Sequence, residues 1–334
     1  MRTIKLIIII GFLTTGIVCG QDPQFSQFYA NPLYLAPSFA GSTAGSRVAM
    51  NYRDQWPNLA GRFVSYSLSA DHYFPKYNSG LGILALRDQA GGGKLNTTNI
   101  GLQYSYKIQL NNRYYLQPGI QAYYTMQRIN FQDLTFADQF LGDQFLGSSV
   151  ETPPDNKINH IDFSTSLLAY SDFAWAGFNF DHMMKISQSL ADDYRYAPVK
   201  LSVFGGAKIM LKERLQSKLN ESLTLAFNYK TQASQNQLDM GAYYYKFPFI
   251  AGLWYRGIPV FSKTVSHDAI TLLIGYKHDN FSFGYSYDLT IGNLITSTGG
   301  AHELSLLFTF DQGAHATGAH TRSKRMGAVP CPEF

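Results

Sequence analysis

Three stretches of the chain and four scattered histidines carry residue types that could do chemistry. "AHEL", 301–304, is half of the H-E-x-x-H zinc pattern, in which two histidines one helical turn apart hold the metal and the glutamate serves as base. Position 306 is Leu, so the second ligand is missing and the metal reading fails. "AGGGKLN", 90–96, lacks the spacing and the trailing Ser or Thr of a phosphate-binding loop, and a flexible hairpin explains it. His72, His160, His182 and His302 have no Ser and acid at a recognisable catalytic spacing. "ADQFLGDQFLG" repeats Asp-Gln-Phe-Leu-Gly at 138–142 and 143–147, which reads as a tandem duplication in a tolerant surface loop in preference to a binding motif. No catalytic, cofactor-binding or metal-binding residue is therefore expected, and the chain reads as non-enzymatic.

The other charges of interest are Lys107, Asp181, Lys200, Lys208, Lys230 and Asp288, and each sits inside an alternating run. "FSFGYSYDLT", 281–290, shows the pattern: Phe281, Phe283, Tyr285, Tyr287 and Leu289 share one face, and Ser282, Gly284, Ser286, Asp288 and Thr290 the other. Period-2 alternation means a β-strand with an apolar and a polar side. A soluble strand would keep its outer face wet with Lys, Glu or Arg, whereas a membrane barrel points large apolar groups at lipid and small polar ones into a crowded lumen. Strands of this kind are expected at 46–56, 62–72, 79–88, 97–109, 113–127, 160–170, 173–182, 199–210, 222–231, 236–247, 249–256, 268–277, 281–289 and 301–310.

The connections decide between the two settings. Those after even-numbered strands are mostly tight, as at 111–113, 171–172, 248 and 278–280, and those after odd-numbered strands are mostly long, as at 130–159, 183–198, 257–267 and 290–300. The short 231–235 and the charged 212–221 break the rule. Sorting by parity is a property of outer-membrane barrels, with short periplasmic turns, long outer loops and an even strand number. Composition agrees. Charged residues are 15% of the chain, against about 25% in ordinary soluble domains, and aromatics equal them at 15% with 23 Tyr and 24 Phe. No apolar run after residue 20 is long enough for a membrane helix, and the mean hydropathy is only -0.14. The expected fold is all-β, a transmembrane antiparallel up-and-down β-barrel of about fourteen strands. The charges facing its lumen fit a pore lining or a satisfied internal ion network equally well.

The ends set the remaining organisation. "MRTIKLIIIIGFLTTGIVCGQ" has a positive start at Arg2 and Lys5, an apolar stretch from Leu6 to Leu13, and short residues before Gln21, the pattern of a secretory signal peptide over 1–20. Cleavage is expected after Gly20; Val18 stands where a lipid-attachment site at Cys19 would want a smaller residue. Losing Arg2 and Lys5 takes the formal charge from +4 to +2, with no basic patch that could mark a nucleic-acid partner. Cys331 is then the one remaining cysteine, which excludes an intramolecular disulfide. Residues 21–45, with Phe25, Phe28 and Tyr29, are apolar without strand period, so they need a dry surface, either as a plug inside the barrel or as a docking strip. The barrel follows over 46–310, and 311–334 reads as an aperiodic tail with a basic cluster. An even strand count places both termini in the periplasm.

Several stretches together resemble the PorP/SprF membrane proteins of type IX secretion in Bacteroidota: "QDPQFSQFYANPLYLAPSFAGS" from Gln21, "NYRDQWP" from Asn51, "GLGILALRDQAGGG" from Gly80, "SYDLTIGNLITSTGGAHELSL" from Ser286, and the ending "CPEF". Ala36 stands where the family has Asn. The strand ending "LSLLFTF", on Phe310, resembles an aromatic signal read by outer-membrane insertion machinery. The resemblance implies an outer-membrane protein without a cofactor, partnered by membrane lipid, by subunits of the secretion apparatus and by secreted surface proteins, gliding adhesins among them. It also implies that the tail docks, with Phe334 in an apolar pocket beside Pro332 and Cys331 a buried thiol or half of an intermolecular disulfide. Phe25, Phe28 and Tyr29 are the candidate contacts at the other end. An uptake channel for small solutes is the alternative function, and a secreted soluble β-protein the reading that would overturn both.

Overall fold

The computed structural model describes residues 22–43, 45–92, 95–131, 134–141, 144–147, 149, 157–184, 196–212, 221–233, 235–257, 269–291 and 298–311. Its long strands are β1 (Gly45–Gln55), β2 (Phe63–Phe74), β3 (Ser79–Ala90), β4 (Leu95–Tyr106), β5 (Tyr115–Ile129), β6 (Lys157–Tyr170), β7 (Ala174–Asp181), β8 (Lys200–Lys212), β9 (Glu221–Gln232), β10 (Gln235–Lys246), β11 (Phe249–Gly257), β12 (Ala269–His278), β13 (Phe281–Thr290) and β14 (Ala301–Asp311). Each pairs antiparallel with its neighbours in sequence, and β1 pairs with β14, so the sheet closes into a fourteen-stranded barrel. Closure satisfies every strand edge, which is what a sheet in lipid requires.

The sequence pattern fixes which side faces which medium. On β13, Ser282, Gly284, Ser286 and Asp288 are buried while Phe281, Phe283, Tyr285 and Tyr287 are partly exposed on the outside. On β2, Ser65, Ser67, Ser69 and Asp71 are buried and Tyr66 and Leu68 exposed. The outer wall carries Leu102, Ile120, Leu253 and Ile274, each more than half exposed, a hydrocarbon-facing surface rather than a solvated one. Among the described residues no helix is long and apolar enough to cross a membrane.

The expected strands agree with the observed ones to within a few residues. The main difference is that the run expected over 97–109 breaks at Lys107, leaving Ile108–Gln109 as a separate two-residue bridge to β5. The longest connections, 130–156, 182–199, 258–268 and 291–300, all follow odd-numbered strands. At the opposite mouth, tight turns close through Asn78 (φ 50°) and Asp279 (φ 50°), residue types that tolerate the left-handed conformation.

Strand parity puts Gly45 and Asp311 at the same, short-turn mouth, and the two are paired there. Residues 22–43, however, run through the lumen toward the other mouth, where Asp22 meets His182, just after β7, and Lys200, at the start of β8. The two ends of the described chain thus lie at opposite mouths. Counting strands places Gly45 and Asp311 at one mouth and does not take in the segment before Gly45, which traverses the barrel's interior.

Candidate functional site: the filled lumen

Residues 22–43 fold locally in short turns. Phe28–Ala30 and Pro37–Phe39 form 3-10 turns and Pro32–Leu35 a single helical turn. Pro32 and Pro37 sit at first-turn positions, where a missing N–H costs nothing and a fixed φ helps. Turns this short leave much of their backbone without internal partners, and buried N–H and C=O groups must find them elsewhere. The barrel wall provides them. The Leu33 carbonyl accepts from Gln103 Nε2 (2.8 Å), and the Ala40 carbonyl from Ser105 Oγ (2.6 Å) and Gln117 Nε2 (2.9 Å). The Ser38 N–H donates to Ser166 Oγ (2.8 Å), and the Leu35 carbonyl accepts from Asn179 Nδ2 (3.3 Å). The small polar face of the strands is thus a set of hydrogen-bond partners for this segment.

Aromatic contacts fix its middle. Phe28 lies edge-on to Trp254 at 4.9 Å, Tyr29 edge-on to Trp175 at 5.5 Å, and Phe39 packs on Phe204 at 5.5 Å. The Tyr29 hydroxyl donates to the Gly205 carbonyl (3.0 Å), so the ring buries its face and satisfies its polar tip. Two wall glycines let the backbone approach: a Cβ on Gly80 would overlap the Ala40 carbonyl, and one on Gly119 the Ser38 backbone.

Three ion clusters hold the segment along its length. Near the short-turn mouth, Arg47 pairs with Asp71 (2.9 Å) and donates to the Phe39 carbonyl (3.1 Å), while the Gly41 N–H donates to Asp71 (2.7 Å). In the upper lumen, the Glu303 carboxylate accepts from the backbone N–H groups of Ser26 (2.6 Å) and Gln27 (2.9 Å) and pairs with Arg53 (3.1 Å). Arg53 also pairs with Asp288 (2.8 Å), Arg256 bridges Asp288 (3.0 Å) and Asp239 (3.1 Å), and Lys230 completes the group against Asp239 (3.3 Å). The Ser26 hydroxyl sits between Arg53 and Asp288.

At the outer mouth, Asp22 pairs with Lys200 (2.6 Å) and His182 (3.1 Å), Lys200 with Asp181 (3.1 Å), and His182 with Asp162 (3.0 Å). Burial alone would push the His182 imidazolium toward neutrality, but Asp22 and Asp162 overcome it and hold its pKa up to about 10. Burial likewise opposes the Asp22 carboxylate, and Lys200 and His182 outweigh it, holding the group well below the usual range.

Of the charges singled out in the sequence, Asp181, Lys200, Lys230 and Asp288 belong to these ion-pair networks. Lys107 lies 4.2 Å over the Tyr73 ring, with its pKa brought down by burial to about 8. Phe25, Phe28 and Tyr29 are all but fully buried inside the barrel and meet the chain's own residues. Cys331, Pro332 and Phe334 lie outside the described residues. Arg47, Arg53, Arg256 and Glu303 were not foreseen. Their signal in the sequence was a full charge on the small-residue face of an otherwise alternating strand, as Glu303 is in "AHELSLLFTF".

Residues 18–308 match the model of a family described as type IX secretion system membrane protein PorP/SprF. No curated protein matches the chain in sequence. Among solved structures it is similar to the CymD monoaromatic hydrocarbon channel, with TM-score 0.50 and 10% identity over 84% of this chain and 93% of that one. It is also similar to the toluene transporter TodX of Pseudomonas putida (TM-score 0.47, 8% identity, 82% of this chain and 92% of that one). A third is the outer membrane protein Omp33 of Acinetobacter baumannii (TM-score 0.43, 9% identity, 81% of this chain and 100% of that one). At 10% identity the likeness to CymD is one of fold alone.

Proposed function

The chain belongs to the PorP/SprF family of type IX secretion system membrane proteins, and from that premise we propose that it works as a sealed outer-membrane barrel that docks secretion subunits or anchors secreted surface proteins. The observation that carries this reading is the segment 22–43, which fills the lumen and is bonded to wall residues from β1 through β14. A solute path would have to displace a segment fixed by three ion clusters. What the barrel then offers to other molecules is its rims and its tail. In this reading Phe25, Phe28 and Tyr29 hold the plug rather than a partner, and Cys331, Pro332 and Phe334 carry the docking on the side of the short turns.

Liposome flux measured beside co-purification tests it. The purified barrel should be closed to small solutes, and mild detergent extraction from native cells should recover secretion subunits or a secreted surface protein with it. Solute flux through the isolated wild-type barrel, with nothing co-purifying, would establish the uptake channel instead.

A further inference from the structure

On β3, β5 and β6 the alternation that points Ile83, Tyr124 and Ile161 at hydrocarbon points Arg87, Arg128 and Lys157 the same way. All three cations are exposed, and all stand toward the outer-mouth ends of their strands. Arg87 is the most unusual of them. Its neighbours on this face are Tyr66 and Thr98 directly opposite, with Leu68, Ala85, Gln89 and Asn96 around them, and none is acidic. Asp54, the acid on the same face of β1, stands two strands away and pairs with Arg62 (3.8 Å). Among the described residues Arg87 makes no ion pair or hydrogen bond. An arginine on a lipid-facing wall is costly at the midplane and tolerated near the interface, where its stem lies along apolar surface and its head reaches the headgroups.

The register brings the other two cations into the same patch. Arg87 shares a row with Thr98, Met126 and Asn159, and the next row toward the outer mouth is Gln89, Asn96, Arg128 and Lys157. Arg128 and Lys157 therefore face each other across β5 and β6, like charges with Cβ atoms about 5 Å apart, an arrangement that destabilises a sheet. Two strand spacings and two residues separate Arg87 from Arg128, about 12 Å along the wall, so two long side chains converge on a group seated between them. An anion there relieves the repulsion and gives Arg87 its counter-charge.

We propose that Arg87, Arg128 and Lys157 bind the phosphate of an acidic lipid in the leaflet at the outer mouth. The guanidinium groups suit phosphate oxygens, which they meet with two parallel hydrogen bonds, and basic clusters at a membrane surface attract anionic lipid. The surface beneath the cations selects lipid over a soluble anion. Ile83, Ile100, Leu102 and Ile161 form an exposed apolar face continuous with the cationic one, a bed for acyl chains that free phosphate would leave unused. One lipid held there ties the sector of the rim that carries the 130–156 connection to the membrane surface.

The full barrel, delipidated in a neutral detergent, tests this by titration with phosphatidylglycerol under native mass spectrometry. It should retain one phosphatidylglycerol, and phosphatidylcholine with the same chains far more weakly. Arg87→Gln alone should weaken retention about fivefold, and Arg87→Gln/Arg128→Gln/Lys157→Gln roughly a hundredfold, from the usual contribution of a basic residue near an anionic surface. Lys76→Gln/Arg113→Gln/Lys246→Gln removes as much charge from exposed positions at the short-turn mouth and should leave retention unchanged. Heat-modifiable migration establishes that each variant is folded, and the single variant carries the test if the triple one is not. Wild-type retention by the Arg87 variant, an equal loss in the short-turn variant, or equal retention of phosphatidylcholine would overturn the proposal. Displacement of the lipid by inorganic phosphate at matching concentration would also overturn it, by showing a site for a simple anion.

Discussion

Glu303→Gln is the substitution that should most directly loosen the plug. The carboxylate is fully buried and accepts from the Ser26 N–H at 2.6 Å, the Gln27 N–H at 2.9 Å and Arg53 at 3.1 Å. A glutamine keeps the shape, but one of its two oxygens becomes an NH₂ that must face a donor. At least one charge-assisted hydrogen bond is lost, about 1.5–3 kcal/mol, and one buried N–H is left without an acceptor, about 1–3 kcal/mol. The sum, about 2.5–6 kcal/mol, corresponds to a roughly 10²- to 10⁴-fold rise in the open population of this end of the segment. Hydrogen exchange of the Ser26 and Gln27 amides in detergent micelles reads that population. These amides should exchange at least 100-fold faster in the variant, while strands β2 to β6 keep their protection and the protein still runs as a heat-modifiable barrel. Unchanged exchange at Ser26 and Gln27 would refute the assignment of Glu303 as a plug anchor. Collapse of the whole barrel would show instead that the carboxylate's role is in the wall.

Other outcomes follow from the same geometry. Gly119→Ala drives a methyl into the Ser38 backbone and should destabilise the seated segment by about 1–3 kcal/mol, seen as faster exchange over Pro37–Ala40, whereas an alanine tolerated without change would mean the wall yields there. The His182 imidazolium is held up to about 10 against 6.5 unfolded, so its contribution is complete below pH 6.5 and is lost as pH rises through 10; the gap in thermal midpoint between wild type and His182→Gln should close between pH 7 and 11. Thiol labels at Ser149→Cys and Asn112→Cys should respond oppositely to an impermeant reagent on intact cells, the first reacting and the second silent, and the reverse would invert the barrel. Truncation after Gln312 should leave a heat-modifiable barrel but abolish partner recovery; full recovery would make the tail dispensable.

The wall was legible because alternation is a local signal. Phe281 to Thr290 declares its lipid face through five consecutive pairs, and the loops declare their side by length. The filling of the lumen was legible only in part. Phe25, Phe28 and Tyr29 announce a need for burial, but nothing within residues 21–45 says whether the dry surface belongs to this chain or another. The answer lies in partners distant along the chain, such as Glu303 for Ser26 and Trp254 for Phe28. The individual ion pairs were hidden for the same reason. Arg53 and Glu303 become neighbours only when β1 meets β14, and no periodicity within either strand carries that information.

That meeting has a consequence for how the molecule assembles. Arg53 and Glu303 stand directly opposite each other in the register of β1 with β14, the one junction between the first strand and the last. Both bond Ser26 across that junction. The plug is thus a clasp over the seam, and a barrel closed without it would leave Glu303 and Asp288 short of donors in the upper lumen. Closing the wall and seating the segment should be one kinetic event, placed late because it joins residues some 277 positions apart and such contacts bear the largest loop-closure cost. In refolding, protection at Ser26 and heat-modifiable migration should appear with a single time course; protection that trails closure would mean the segment enters an already finished barrel.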